Sequence, residues 1–318
     1  MSIIGAGPTG LYAAYYAGFR GLSTAVIDSL TEPGGQVTAL YPEKDIFDVA
    51  GFPAVKGKEL IDRLVEQTAP YEPNYLLGHR ADDLVRHGDG TFTVTTSHGD
   101  EVRTKSVVIT GGIGHFTPRP LPNGEHFVGR GLVYFVRALE SMRDDDVLIV
   151  GGGDSAVDWA LNLEGIARTL TLIHRRDRFR AHEDSVTKLL ASSVEVLTYT
   201  EVSTIEGAHG IEAVEVFDNR TDERRTLKVN KVVAALGFKS DLGPLRTWDI
   251  VIDGRSILVD TRMQTTLNGV FAAGDITEYE GKVRLISVGF GEAATAVNNA
   301  AVYIDPTARV FPGHSSGG

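Results

Sequence analysis

Two stretches of this chain have the residue types and spacing to hold a dinucleotide. The first is Gly5-Ala6-Gly7-Pro8-Thr9-Gly10, between the apolar run Ser2–Ile4 and an apolar helical pattern reaching about Gly18. In such a turn Gly5 allows the tight bend, Gly7 lets the backbone approach a pyrophosphate, and Gly10 lets helix and strand pack closely. The helix that follows turns its partly positive N-terminus toward the phosphates. Asp28, at the end of the next apolar run Ser23–Ser29, stands where an acid accepts hydrogen bonds from an adenosine ribose diol. The second stretch is Gly151-Gly152-Gly153-Asp154-Ser155-Ala156, after the apolar run Val147–Val150. Its next strand, Thr169–His174, ends in Arg175 and Arg176 instead of an acid, with Arg180 as a third candidate. An acid there would select a free 2′-hydroxyl and repel a 2′-phosphate, whereas a guanidinium pair suits NADP.

One site ending in an acid and one ending in arginines imply two different dinucleotides, a flavin and a nicotinamide coenzyme. The run "NGVFAAGDI" supports FAD, because an apolar strand ending in Gly-Asp places Asp275 against a flavin's ribityl hydroxyls. A helix expected to begin near Gly289-Phe290-Gly291 would turn its N-terminus toward the negative charge of a reduced flavin.

The surrounding elements must position these groups. Each half of the chain opens with a strand, a glycine turn and a helix, continues through hairpin strands, and closes on an apolar strand ending in glycine (Gly111, Gly237). The segment holding Asp275 returns to the first half. The expectation is an α/β protein with two Rossmann-like nucleotide-binding domains of the three-layer ββα type, the second inserted into the first. Residues 1–112 and 242–318 would form the FAD-binding domain and 113–241 the NADPH-binding domain.

At 318 residues two domains are the natural prior. Net charge is −11, which argues against nonspecific nucleic-acid binding. No run resembles a transmembrane helix, and no signal peptide precedes the first strand, so a cytoplasmic location is expected. The sequence has no cysteine, which excludes disulfide redox pairs and thiolate nucleophiles in this chain. No metal site and no catalytic acid or base is expected.

These residues together resemble the flavoprotein family of thioredoxin reductase, in the pyridine nucleotide-disulfide oxidoreductase superfamily. The resemblance is closest to the thioredoxin-reductase-like ferredoxin–NADP⁺ reductases. It is carried by "IIGAGPTGLYAAYYAGFRG", "GGQVTALYPEKDIFDVAGFP", "GGGDSAVDWAL", "HRRDRFRAHE", "FAAGDITEYEGKVRLISVGFGEAATAVNNA" and "DPTARVFPGHSS", which span nearly the whole chain. Thioredoxin reductases carry a CxxC just before the second glycine motif; here that region, Val133–Asp146, holds Phe135 and Val136 instead. The resemblance implies FAD contacts at Thr9, Asp28, Gln36, Tyr41, Ala81, Phe116, Asp275 and Ser316. It places Tyr41 on one isoalloxazine face and His314, from the partner of a homodimer, on the other. It implies hydride transfer from NADPH to FAD, then single electrons to ferredoxin or flavodoxin, in either direction. An NADPH oxidase or quinone reductase with a small acceptor, and a redox-silent NADPH-sensing module, satisfy the same nucleotide motifs.

Overall fold

The computed structural model describes residues 1–313. The chain forms two compact units, one of Met1–Phe116 with Ser240–Gly318 and one of Thr117–Lys239. The second unit is thus an insertion in the first. The two crossings run through short strands, His115–Pro118 and Phe238–Asp241, which pair with each other.

The first unit is built on a five-stranded sheet with Ser2–Ile4 at its centre. On one side lie Ala25–Asp28 and then Asn74–Leu77; on the other lie Val107–Ile109 and then Val270–Ala272, all parallel. Ser2–Ile4, Val107–Ile109 and Val270–Ala272 are buried throughout, which is why they read as unbroken apolar runs. The opening helix, Pro8–Phe19, carries Pro at its start, where a missing N–H is harmless. It buries Ala13, Ala14 and Ala17 in one core with Ala293, Ala296 and Ala300 of the closing helix, Ile286–Ile304. Small residues on both helices let their backbones approach. A three-stranded antiparallel sheet covers the unit from Ala81–Arg86 through Phe92–Thr96 to Glu101–Thr104. Its middle strand alternates, with Phe92, Val94 and Thr96 buried and the residues between them less so, as a one-sided sheet requires.

The second unit repeats the plan. Its central strand is Asp146–Val150, flanked by Thr169–His174 and Glu195–Thr198 on one side and Lys231–Ala234 and Leu132–Val133 on the other. Its antiparallel layer runs Thr200–Glu206, Ala213–Asp218, Arg224–Leu227. The two sheets differ in the source of the edge strand. In the first unit it comes after the insertion; in the second it precedes the glycine turn. Two Rossmann-like units, the second inserted into the first, are therefore the fold. No helix of the described residues is long and apolar enough to cross a membrane.

Three local expectations need correction. The closing helix begins at Ile286, so Gly289 and Gly291 lie inside it. Gly289 is small because a Cβ there would come within 2.5 Å of Thr9 Oγ1. The apolar strand expected to end in Gly237 spans Lys231–Ala234 and stops short of that glycine. Helices at Gln36–Leu40 and Glu183–Ala191 were not foreseen.

The first glycine turn is dictated by contact. Gly5 has φ of +112°, outside the ordinary range of L side chains, and a Cβ on Gly10 would lie 1.8 Å from the Gly5 carbonyl oxygen. The Gly10→Ala variant is therefore expected to lose about 1–3 kcal/mol of stability. Thermal unfolding measures it, with Gly7→Ala as the control that has open space beside its Cα. Equal midpoints for Gly10→Ala and the unaltered protein would contradict this close approach.

Candidate functional site

The carboxyl ends of the first unit's parallel strands open onto a cleft, the place where open α/β sheets bind ligands. Gly5 and Gly7 form its floor, Asp28 and Gln36 one flank, and Tyr41 and Asp275 another. Thr9, Ala81 and Phe116 also line it. Gly10 does not; it lies under the turn, its side-chain space filled by backbone. His314 and Ser316 lie outside the described residues.

Asp28 does more than face the cleft. One carboxylate oxygen accepts the Ala6 N–H at 2.6 Å and the other accepts the Leu30 N–H at 2.8 Å. The acid at the second strand's end thus holds the glycine turn at the first strand's end, and each oxygen keeps further lone pairs for a diol. Burial pushes its pKa up, opposed by these two N–H bonds. The Gly34 N–H donates to the Ala6 carbonyl at 2.8 Å, so the Pro-Gly-Gly loop closes over the same turn. Gly7, beside it, has nothing within 4 Å of where a Cβ would stand. That is a backbone cradle open for a phosphate group to approach.

Tyr41 ends the Gln36–Leu40 helix, with its N–H on the Val37 carbonyl at 3.2 Å. Burial, aided by the charges of Asp275 and Asp48, pushes its phenol pKa to about 12, so it is a neutral ring at physiological pH. Asp275 follows the buried strand Val270–Ala272, and its carboxylate accepts no hydrogen bond from any described residue. Its pKa is raised by burial, although Lys282 and Arg284 pull it down. An apolar cleft with a glycine cradle, a neutral aromatic ring and a carboxylate without a donor fits FAD. Ile286, the first residue of the closing helix, is in the cleft wall, so this helix does present its N-terminus there.

Sequence reasoning missed two parts of this wall. One is Gly111, Gly112 and Gly114, which follow the strand Val107–Ile109; its carboxyl end was the signal that would have found them. The other is Leu242–Leu245, which carries no motif.

The second unit has its own cleft at the same end of its sheet. Gly151, Gly153, Asp154 and Ser155 form its floor, and Arg175, Arg176 and Arg180 line it, joined by Arg178. None of these four guanidinium groups has a side-chain hydrogen-bond or ion-pair partner among the described residues. Four unneutralised cations at one strand end fit a phosphate dianion. Gly153, like Gly7, has nothing within 4 Å of a Cβ position. Asp154 Oδ1 accepts the His182 N–H at 2.9 Å and the Arg180 N–H donates to the Gly152 carbonyl at 2.7 Å. Both tie the arginine loop to the glycine turn. Ala156 is buried beneath the turn and does not reach the cleft.

The chain is similar to known proteins over nearly its whole length. Residues 1–300 match the family model described as pyridine nucleotide-disulphide oxidoreductase. A ferredoxin–NADP reductase of Frankia alni is 60% identical over 317 residues, covering 100% of this chain and 98% of that protein. One from Thermus thermophilus is 51% identical over 320 residues, covering 99% and 95%. Among solved structures, thioredoxin reductase of Lactococcus lactis superposes with a TM-score of 0.79 at 26% identity, covering 95% of this chain and 98% of that one.

His174 gives the arginine cluster a reporter. Its ring stacks on Phe179 at 5.1 Å between centroids and its Nε2 lies 3.2 Å from the Arg178 carbonyl oxygen. Burial lowers its pKa below the ordinary 6.5; the hydrogen bond to the Arg178 carbonyl opposes this, and the charges of Arg175, Arg176 and Arg180 add to the lowering. In the double variant Arg175→Ala/Arg176→Ala its titration midpoint, followed by NMR of the imidazole, should move up yet stay below the ordinary value, because burial is the larger cause. A midpoint that does not move would mean that those side chains point away from this strand end.

Proposed function

Because the chain belongs to the pyridine nucleotide-disulphide oxidoreductase family, we propose that its two clefts divide the work of a ferredoxin–NADP reductase. The first takes FAD and the second takes NADP(H). The observation that carries this reading is the contrast between the two strand ends: Asp28 in one cleft, and in the other Arg175 and Arg176, unpaired among the described residues. Relatives of 50–60% identity over the full chain bear the name ferredoxin–NADP reductase. FAD, when bound, exchanges a hydride with NADPH and single electrons with a one-electron carrier.

The chain's own residues have binding and positioning roles. Gly7 and Gly153 offer backbone to the pyrophosphates. Asp28 accepts from the adenosine ribose of FAD while it holds the Ala6 N–H. Tyr41 lies against the isoalloxazine as an uncharged ring, and Thr9, Gln36, Ala81 and Phe116 complete the FAD contacts. Asp275 accepts from the ribityl chain. Arg175 and Arg176 grip the 2′-phosphate bidentately, with Arg180 as support. No side chain is needed as acid or base for hydride transfer. The same proposal includes ferredoxin, or flavodoxin, as partner, Ser316 as a further FAD contact, a homodimer whose partner subunit brings His314 to the flavin, and a cytoplasmic location. The resemblance to the family supports the electron-carrier partner and the dimer.

Coenzyme choice tests the assignment of the second cleft. Arg175→Ala/Arg176→Ala should raise KM for NADPH by about tenfold or more, at roughly 1.5–3 kcal/mol for each charged bond lost. KM for NADH should barely move, since NADH has no 2′-phosphate. Equal losses with both coenzymes would show that these arginines serve folding. Anaerobic NADPH titration followed by ferredoxin, with the flavin spectrum as readout, tests the whole reaction: NADPH should bleach the flavin and oxidised ferredoxin should restore its colour. A protein without bound or bindable flavin, or one whose reduced flavin passes electrons to a quinone and not to ferredoxin, would overturn it.

A further inference from the structure

Behind Asp275 lies an ion pair that the motifs do not explain. The side chains of Lys282 and Glu292 are 1% and 5% exposed, and Lys282 Nζ lies 2.5 Å from Glu292 Oε1. Burying both charges is costly unless every remaining donor and acceptor is used, and here they converge on one residue. Glu292 Oε2 accepts the Gly274 N–H at 2.7 Å, while Lys282 Nζ donates to the Gly274 carbonyl at 3.0 Å. Both backbone polar groups of Gly274 are therefore held by opposite ends of one pair. Tyr279 donates its hydroxyl to Glu292 Oε1 at 2.6 Å, and Thr277 donates to the same Gly274 carbonyl at 2.8 Å. The Lys282 ammonium lies 5.5 Å from the centre of the Tyr279 ring. Gly274 itself has φ of +83° and presses on Thr9, whose Oγ1 would lie 2.9 Å from a Cβ. A backbone unit held on both polar groups, in a left-handed conformation, immediately precedes the carboxylate that faces the cleft.

We propose that the Lys282–Glu292 pair positions the Gly274–Asp275 turn to receive FAD and sets the electrostatic field at Asp275. The proposal rests on the assignment of the first cleft to FAD. A pair of hydrophobic residues would fill the same volume, so the charges have a use beyond packing. The groups that face Asp275 are Lys282 and Arg284, which favour its ionised form, and Glu292, which opposes it; the Tyr41 phenol also senses its charge. With Lys282 and Glu292 both present their effects on Asp275 oppose. Removing one leaves the other's effect unbalanced, with a sign that depends on which is removed. FAD binding that uses the ionised carboxylate weakens as pH falls through the Asp275 midpoint. Losing Lys282 should move that midpoint up; losing Glu292 should move it down.

The experiment is FAD titration of the apoprotein by flavin fluorescence, from mildly acidic to mildly alkaline pH. It compares the unaltered chain with Lys282→Met, Glu292→Gln and the double variant Lys282→Met/Glu292→Met, with folding checked by circular dichroism. Each single variant should bind FAD about tenfold or more weakly at neutral pH, because each leaves a buried charge without its partner. The pH midpoint should rise in Lys282→Met, fall in Glu292→Gln, and return toward the unaltered value in the double variant. A role confined to stability would not give opposite signs. Unchanged FAD affinity in both folded single variants, or midpoints displaced the same way, would overturn the proposal. Glu292→Gln keeps the side-chain volume and an acceptor oxygen, so if Lys282→Met fails to fold, its midpoint alone decides: downward supports, unmoved or upward refutes. If the unaltered apoprotein takes up no FAD at any pH, the flavin assignment fails, and this proposal with it.

Discussion

The structure depends on a helix beginning in van der Waals contact with the end of a parallel strand. At the first turn the Gly5 carbonyl oxygen occupies the space where Gly10 would carry a Cβ. That contact sets the helix N-terminus over the carboxyl ends of the strands, where its free N–H groups face the cleft. It also fixes what else must be small. The opening helix packs against the closing helix largely through alanines, with Tyr12 against Phe290 at one end. Thr9, at the start of the first, presses on Gly274 and Gly289. One steric constraint thus propagates from the phosphate cradle to the residue before Asp275.

The two units place the same scaffold in different electrostatic fields. In the first, Asp28 is already engaged by two backbone N–H groups, so the acid that would read a ribose also braces the turn beneath it. In the second, the corresponding strand end presents arginines with no carboxylate partner among the described residues. The chain instead fastens their backbone. Asn219 Nδ2 donates to the Arg175 carbonyl at 2.9 Å, and the Arg180 N–H donates to the Gly152 carbonyl. Backbone is held and guanidinium groups are left unpaired, an arrangement suited to a ligand that brings its own negative charge.

What was legible in the sequence was local: unbroken apolar runs for buried parallel strands, glycine at steric contacts, and the charge at strand ends. These carry the fold and most of the cleft floor. Glu183–Ala191 was missed because its first turn is charged and it buries little besides Leu189, which leaves a weak apolar period. The start of the closing helix is hidden in the sequence because Gly289 and Gly291 look like turn residues; Gly289 is there for contact with Thr9. The Lys282–Glu292 pair was invisible. Lysine and glutamate ten apart in sequence read as solvated surface, and only the tertiary fold brings both into the interior around Gly274.

The region before the second glycine turn is packed without a redox pair. Val136 is 1% exposed and packs in the core with Ile149, Val157 and Leu163; Phe135 packs at its edge with the Arg137 guanidinium 5.7 Å from its ring centre. Side chains at these positions are held by apolar contact and serve the second unit's stability. A disulfide relay needs two thiols there, free to exchange with a substrate disulfide. This sequence has none, so a two-electron handover through sulfur is unavailable to it. Under the proposed function, electrons would pass between FAD and a one-electron carrier with no sulfur relay between them. A one-electron carrier needs no covalent intermediate, so a chain without cysteine is compatible with such a partner.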